Sequence, residues 1–360
     1  MNKKIIAGIS GGVLAVAAVA GYLLSTYQLP PHVPAVGRLA SGNIMLLETS
    51  GNENEYKLYD LRGTNYKGVY NCASYSIVMA DVVDSVGHGI RIGQASKSGC
   101  KPHHVIVINS TVKHSVLQNN PPLESNNWSS CIKVELGASY VEIRNNTVEN
   151  CYGEGIDVSE SSWVNVVGNT LLNCWSYCIY IDNSTDVVVY DNKISCLDPA
   201  FNRNGKPATA AGVGDENLSQ WGGNGIPIAA RITITENTSY KCQAPRYWGG
   251  DFPNGGVDTL AITNNTIYDT STRVSVANKP RNANINTIGN VYLGSGSTVL
   301  PATETKTQKP ATPTALLSKT PTVTKAATFT ATAIPSATVT PPACITIFDD
   351  GLYIFQACKK

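Results

Sequence analysis

Three stretches of the chain superimpose without a gap. Tyr75–Ile90, Val141–Ile156 and Val164–Ile179 share one pattern, and the last two start 23 residues apart. An asparagine recurs at one place in the pattern, at Asn146, Asn169, Asn192, Asn237, Asn265 and Asn290, in steps of 23, 23, 45, 28 and 25 residues. The long step is one repeat carrying an insertion. Self-similarity at this period means a stack of short units, each burying its apolar face against the next. Inside one unit Val141-x-Ile143 alternates, Asn145-Asn146 turns the chain, and Thr147-Val148 alternates again; after a loop, Gly155-Ile156-Asp157-Val158 is a third short strand. Three strands in about 23 residues leave room for neither hairpins nor a helix, so the chain must coil.

Asparagine suits the turn because it tolerates left-handed backbone angles, and stacked side chains can hydrogen-bond along a ladder. Asn109, Asn145, Asn183 and Asn264 also stand in N-x-Ser/Thr. A ladder generates that string by itself, so these read as turns rather than glycosylation sites. The repeat pattern resembles the right-handed parallel β-helix of the pectate-lyase-like families over about 260 residues. The resemblance implies an all-β solenoid across residues 30–298.

Composition agrees with a turn-rich β protein. Glycine at 31 and tyrosine at 17 outnumber phenylalanine at 5 and methionine at 3. Lys+Arg 27 against Asp+Glu 26 gives a net charge of +1, which argues against a nucleic-acid partner. Ten cysteines are too few for a disulfide scaffold but allow oxidised pairs. Cys151, Cys174 and Cys242 fall at one register after the turn, which predicts stacked buried thiols or a disulfide between adjacent rungs. No C-x-x-C or histidine partner at ligand spacing accompanies them, so no metal ligand set is assigned.

Both ends differ from the middle. Residues 1–29 hold a basic start and an uncharged run from Ile5 to Leu24, a length that serves either as a cleaved signal peptide or as a membrane anchor. Either way the rest is exported, extracellular or at the cell surface, with the membrane a partner only through an uncleaved helix. Between Pro301 and Pro342, 28 of 42 residues are Thr, Ala or Pro, so 299–343 reads as an extended linker. In 344–360, Asp350-Gly351 between two apolar runs predicts a β-hairpin that Cys344 and Cys358 could close.

The repeat also locates a site. The loops beside the Gly-Ile strand are expanded at 93–104, 115–130, 197–224 and 243–254, which predicts a walled trough along that strand. Alternation points Ile90, Ile132, Ile156 and Ile179 inward. Arg91, Lys133, Asp157 and Tyr180 then point out in one column, and Glu135, Ser159 and Asp182 in a second. Trp128, Trp175, Trp221 and Trp248 fall in the walls with Tyr152, Tyr177, Tyr247 and Phe252. Aromatic faces beside a polar floor suit sugar rings, although such side chains also pin long loops. Lys133 and Asp157 are equally readable as an exposed cross-strand ion pair.

One string carries a narrower resemblance. Gly87-His88-Gly89-Ile90-Arg91-Ile92-Gly93 is similar to the Gly-His-Gly segment of polygalacturonases, and Cys131-Ile132-Lys133 matches the lysine of that family's Arg-Ile-Lys. The resemblance implies that His88 and Lys133 face substrate. The preceding rung, Lys67–Ser74, has no paired aspartates, and the family's Asn-Thr-Asp segment is absent. The expectation is therefore a polysaccharide partner, with lyase or epimerase chemistry on an acidic glycan placed above hydrolysis. Arg91, Lys133, Asp157, Tyr180 and Asp182 would supply acid, base and cation, with Ca²⁺ as a candidate cofactor. Glu135 and Asp182 are the pair that inverting hydrolysis would use. The rival expectation is a non-catalytic surface protein that binds glycan or acts as a spacer.

Overall fold

The computed structural model describes residues 38–294 apart from 41–42, 95–98, 121–128, 216–228, 250–256 and 278–282, together with 348–349 and 352–353. The first 37 residues, the Thr/Pro-rich stretch, Cys344 and Cys358 lie outside the described residues, as do Trp128, Trp221 and Phe252. No helix among the described residues is long and apolar enough to cross a membrane. In the C-terminal unit, Phe348–Asp349 pairs antiparallel with Leu352–Tyr353 around Asp350-Gly351.

The strands of the larger unit fall into three rows. A ten-stranded sheet runs from Arg38–Ala40 to Ser275–Ala277, and only its first pair is antiparallel. The other two rows form one sixteen-stranded sheet joined through Ser76–Val83, whose two ends pair with His103–Ile108 and Thr111–Lys113. Each circuit visits all three rows, for example Ser139–Arg144, Thr147–Cys151 and Glu154–Ser159. Each strand pairs in parallel with its counterpart one circuit on: Val141 with Val164, Val148 with Leu171, Ile156 with Ile179. This is a parallel β-helix. Its core is the column of inward side chains, and Ile90, Ile132, Ile156 and Ile179 are fully buried.

The asparagines stack in a buried line. Asn146 Nδ2 donates to Asn169 Oδ1 at 3.0 Å, Asn169 Nδ2 to Asn192 Oδ1 at 3.0 Å, and Asn192 Nδ2 to Asn237 Oδ1 at 2.8 Å. The line continues through Asn265 to Asn290. Each Oδ1 also accepts the neighbour's backbone N–H, and each Nδ2 also donates to a carbonyl of an earlier rung, such as Asn169 to Ile143 at 2.9 Å. The left-handed angles, however, belong to the residue before each ladder asparagine: Asn145, Gly168, Asp191, Glu236, Asn264 and Gly289. The ladder residue supplies hydrogen bonds and its predecessor supplies the bend. Asn109, Asn145, Asn183 and Asn264 all have φ between +47° and +55°, as turn residues do.

Cys151 and Cys174 are register partners, but they do not bond to each other. The disulfides are Cys72–Cys100, Cys131–Cys151 and Cys196–Cys242. Cys196–Cys242 joins the ends of the paired strands Lys193–Ser195 and Thr238–Tyr240, so an expected disulfide between adjacent rungs does form, through Cys242 and not through Cys174. Cys174 and Cys178 are free and buried. Burial and the adjacent Cys178 push the Cys174 thiol well above its ordinary pKa, which keeps it protonated and unreactive.

Candidate functional site

The outer face of the ten-stranded sheet carries the two expected columns, and the register extends both. Tyr70, Arg91, Lys133, Asp157, Tyr180, Gly212 and Arg246 pair in sequence along one. Glu135, Ser159, Asp182, Gly214 and Trp248 follow along the other. The repeat brings these residues together because parallel pairing places equivalent positions about 4.8 Å apart.

Their state differs from a simple exposed floor. Arg91 is ion-paired with Glu135 and Lys133 with Asp157. Neither pair is exposed: Asp157 is 1% accessible and the Lys133 side chain 12%. Neighbouring long side chains on a close-packed sheet cover one another, which single-strand alternation cannot show. Burial works against the Lys133 ammonium, but Asp157, Glu154 and Glu135 outweigh it and hold its pKa above the ordinary value. Lys133 is therefore a fixed cation and not a base at neutral pH. It also donates to Asp157 Oδ2.

Two residues join this cluster that the sequence did not single out. Ser130 Oγ lies 3.3 Å from Glu154 Oε2 and 3.2 Å from Asp157 Oδ2, and its backbone N–H donates to His88 Nδ1 at 3.0 Å. That bond puts the His88 proton on Nε2. Loss of hydration, Lys133 and Arg91 together hold the His88 pKa well below its usual value, so the ring is neutral. Asp157 Oδ1 is buried and has no hydrogen-bond partner among the described residues. The Gly-His-Gly string has a packing cause as well. A Cβ on Gly89 would come within 2.5 Å of both the Cys131 carbonyl oxygen and Val112 Cγ1, so only glycine fits that strand entry.

Further along the face, the rung Thr209–Gly214 presents glycine at both outward positions. Tyr177 and Tyr180 lie over that gap, their rings stacked 4.4 Å apart. A Cβ at Gly212 would sit 2.3 Å from the Tyr177 ring, and one at Gly214 would sit 2.1 Å from the Tyr180 hydroxyl oxygen. Arg246 covers the Tyr177 ring at 5.0 Å and donates through Nε to its hydroxyl at 2.8 Å. Trp248, next to this platform, is 36% exposed. Trp175 is not a wall contact: it is 2% exposed, with the Arg203 guanidinium 5.2 Å from its ring centre. It pins the 196–207 insertion to the body. The fifth tryptophan, Trp163, stacks on Tyr140 in an aromatic line with His104 and Tyr75 on another row.

Residues that flank 216–228 and 250–256 in sequence share one buried clasp. Asp215 Oδ1 accepts from Ala229 N–H, across the 216–228 insertion, and Oδ2 accepts from the Tyr247 hydroxyl at 2.8 Å. The Tyr247 oxygen accepts from Val257 N–H at 3.2 Å, across the 250–256 insertion. Burial raises the Asp215 pKa to about 6, against the lowering effect of these two donors. An unfolded aspartate titrates near 3.9, so the folded state holds the extra proton between those values. The stabilising contribution is complete below about pH 4 and is lost as pH rises through about 6, a swing of roughly 2–3 kcal/mol. Asp215→Asn is expected to flatten that part of the profile. Urea midpoints at pH 4.5 and pH 7 for both proteins test it; an identical pH dependence in the two would refute the assignment.

No family model matches this chain, and no curated protein matches it. Solved structures do. The periplasmic alginate epimerase AlgG aligns at 11% identity and a TM-score of 0.42, over 62% of this chain and 47% of that one. The surface adhesin PfbA of Streptococcus pneumoniae aligns at 13% and 0.41, over 70% and 68%. The Dettilon tailspike protein aligns at 14% and 0.37, over 69% and 48%. This chain spans about half the length of the epimerase.

Proposed function

We propose that the outer face of the ten-stranded sheet binds an acidic polysaccharide in an exported protein. The observation that carries this is the strip formed by the Tyr177–Tyr180 stack over Gly212 and Gly214, bounded by Arg246 and the exposed Trp248. Tyr177 and Tyr180 are themselves buried, so the aromatic face open to a sugar ring is that of Trp248, with the Arg246 cation two residues away on the same strand. A second reading, lyase or epimerase turnover of the same polymer, draws on Asp157, whose buried Oδ1 is unsatisfied among the described residues. Unsatisfied buried carboxylate oxygens in folded proteins call for an explanation, and on this reading substrate reaches Asp157 Oδ1 once the side chains that cover it move aside.

The test uses the full chain in affinity electrophoresis through gels carrying uronate or neutral polysaccharides. Retention by a uronate polymer is expected, weakened about tenfold in Trp248→Ala, the loss of one interfacial aromatic anchor. No retention by any polymer would overturn the proposal. Absorbance from unsaturated ends appearing in the same samples would establish the lyase reading.

A further inference from the structure

Four sulfurs meet inside the solenoid near the start of the strand Tyr177–Asp182. Cys178 Sγ lies 3.8 Å from Cys196 Sγ, and the sulfurs of Cys178, Cys196 and Cys242 all fall within 4.8 Å of one another. Cys196 is bonded to Cys242, while Cys178 is a free thiol hydrogen-bonded to a second one, Cys174. Cys174, Cys178 and Cys242 are buried, and Cys196 is half-buried.

The repeat supplies a template for a different bond. Cys131, Gly155 and Cys178 hold one position on successive rungs, at the entry of the ten-stranded sheet, and Cys151 and Cys174 share another at the end of the coil. On the first rung the entry cysteine bonds to the one that closes the same coil: Cys131–Cys151, 20 residues apart. On the second the entry residue is Gly155, so Cys174 meets no cysteine there, and a Cβ on Gly155 would come within 2.8 Å of its sulfur. On the third the entry is again a cysteine, Cys178, and Cys196 follows it by 18 residues. Thr147, Thr170 and Lys193 are register partners, which sets Cys196 within one residue of the Cys151 position. Cys196 therefore stands between two partners, Cys178 at the entry of its own coil and Cys242 on the adjacent rung.

We infer that Cys178, Cys196 and Cys242 form a thiol–disulfide exchange site in which Cys196 passes between its two partners. Cys178 as thiolate attacks Cys196 Sγ; the Cys178–Cys196 bond forms and the Cys196–Cys242 bond breaks. The Cys242 sulfur leaves with the electron pair and takes up the proton that Cys178 lost. Nothing is oxidised or reduced overall, so the step needs no co-reactant. The exchange moves a covalent tie. In one isomer the tie joins the ends of Lys193–Ser195 and Thr238–Tyr240. In the other it joins Cys196 to the start of Tyr177–Asp182, and Cys242, which leads into the strand Arg246–Trp248, loses its anchor.

Disulfide mapping of the full chain tests it. The protein is held without added thiol at about pH 8.5, near the ordinary thiol pKa, or at about pH 5. It is then quenched in acid, where exchange stops, digested with pepsin, and its linked peptides are read by mass spectrometry. A Cys178–Cys196 linkage is expected in about a tenth of the molecules or more at the higher pH, and to form at least about tenfold more slowly at the lower, because the attacking species is a thiolate. The Cys242→Ala chain, refolded with glutathione disulfide as oxidant, is expected to bond Cys196 to Cys178 and to leave Cys174 a thiol. A map of the unaltered chain with Cys196 joined to Cys242 alone at the higher pH, or with Cys178 joined to Cys242 instead, overturns the inference whether or not the variant folds. So does a folded Cys242→Ala chain in which Cys178 and Cys196 both stay thiols.

Discussion

Asn192→Ala is expected to lower the unfolding free energy by roughly 3–6 kcal/mol, and Asn290→Ala by about 1–2 kcal/mol. Asn192 is fully buried. Its Oδ1 accepts from the Asn169 backbone N–H at 2.9 Å and from Asn169 Nδ2 at 3.0 Å. Its Nδ2 donates to the carbonyls of Val166 and Tyr190 and to Asn237 Oδ1. Alanine therefore leaves the Asn169 backbone N–H without its acceptor and takes one bond each from Asn169 Nδ2, the Val166 and Tyr190 carbonyls and Asn237 Oδ1, in a place water does not reach. Each such group costs about 1–3 kcal/mol. Asn290 makes the same bonds to Asn265 and Ile262, but it ends the line and is only half-buried, so water replaces much of what is lost. Urea denaturation of both variants compares the two. Equal losses at the two positions would show that the ladder does not act as a continuous buried network.

Lys133→Ala is expected to cost roughly 3–5 kcal/mol at neutral pH, because it strands Asp157 and Glu154 in the sheet face without their shared cation. A carboxylate so stranded rises in pKa, so part of the loss returns as pH falls. The double variant Lys133→Met with Asp157→Leu removes both charges together and is expected to recover most of the stability, since apolar replacements of a buried pair are often neutral. The check is the urea midpoint of the single and double variants at pH 5 and pH 7. A single variant as stable as the parent at pH 7 would mean the pair is solvated. The same physics governs how function can be read. Substitutions at Lys133 or Asp157 disturb the fold as well as any chemistry, whereas Trp248 lies at the surface and reports on binding alone.

The repeat by itself determined the coil, the asparagine line and the two outward columns as far as Tyr180 and Asp182. A parallel ladder with a fixed period leaves no freedom of register, so equivalent positions in sequence become neighbours in space. That determinacy stops where the period is broken. The insertions at 197–208 and 216–228 hid the rungs of Thr209–Gly214 and Arg246–Trp248, and with them the glycines that seat Tyr177 and Tyr180, and Arg246. Ser130 and Glu154 escaped for another reason: they stand at the strand entry, and only their side-chain directions bring them to Asp157.

Tertiary structure alone decided the disulfide partners, the burial of the Lys133–Asp157 pair, the interior position of Trp175 and the protonation of His88. Periodicity fixes which way a side chain leaves the backbone. What covers it afterwards depends on the reach of side chains from other rungs and loops, and that distance is not written in any one repeat.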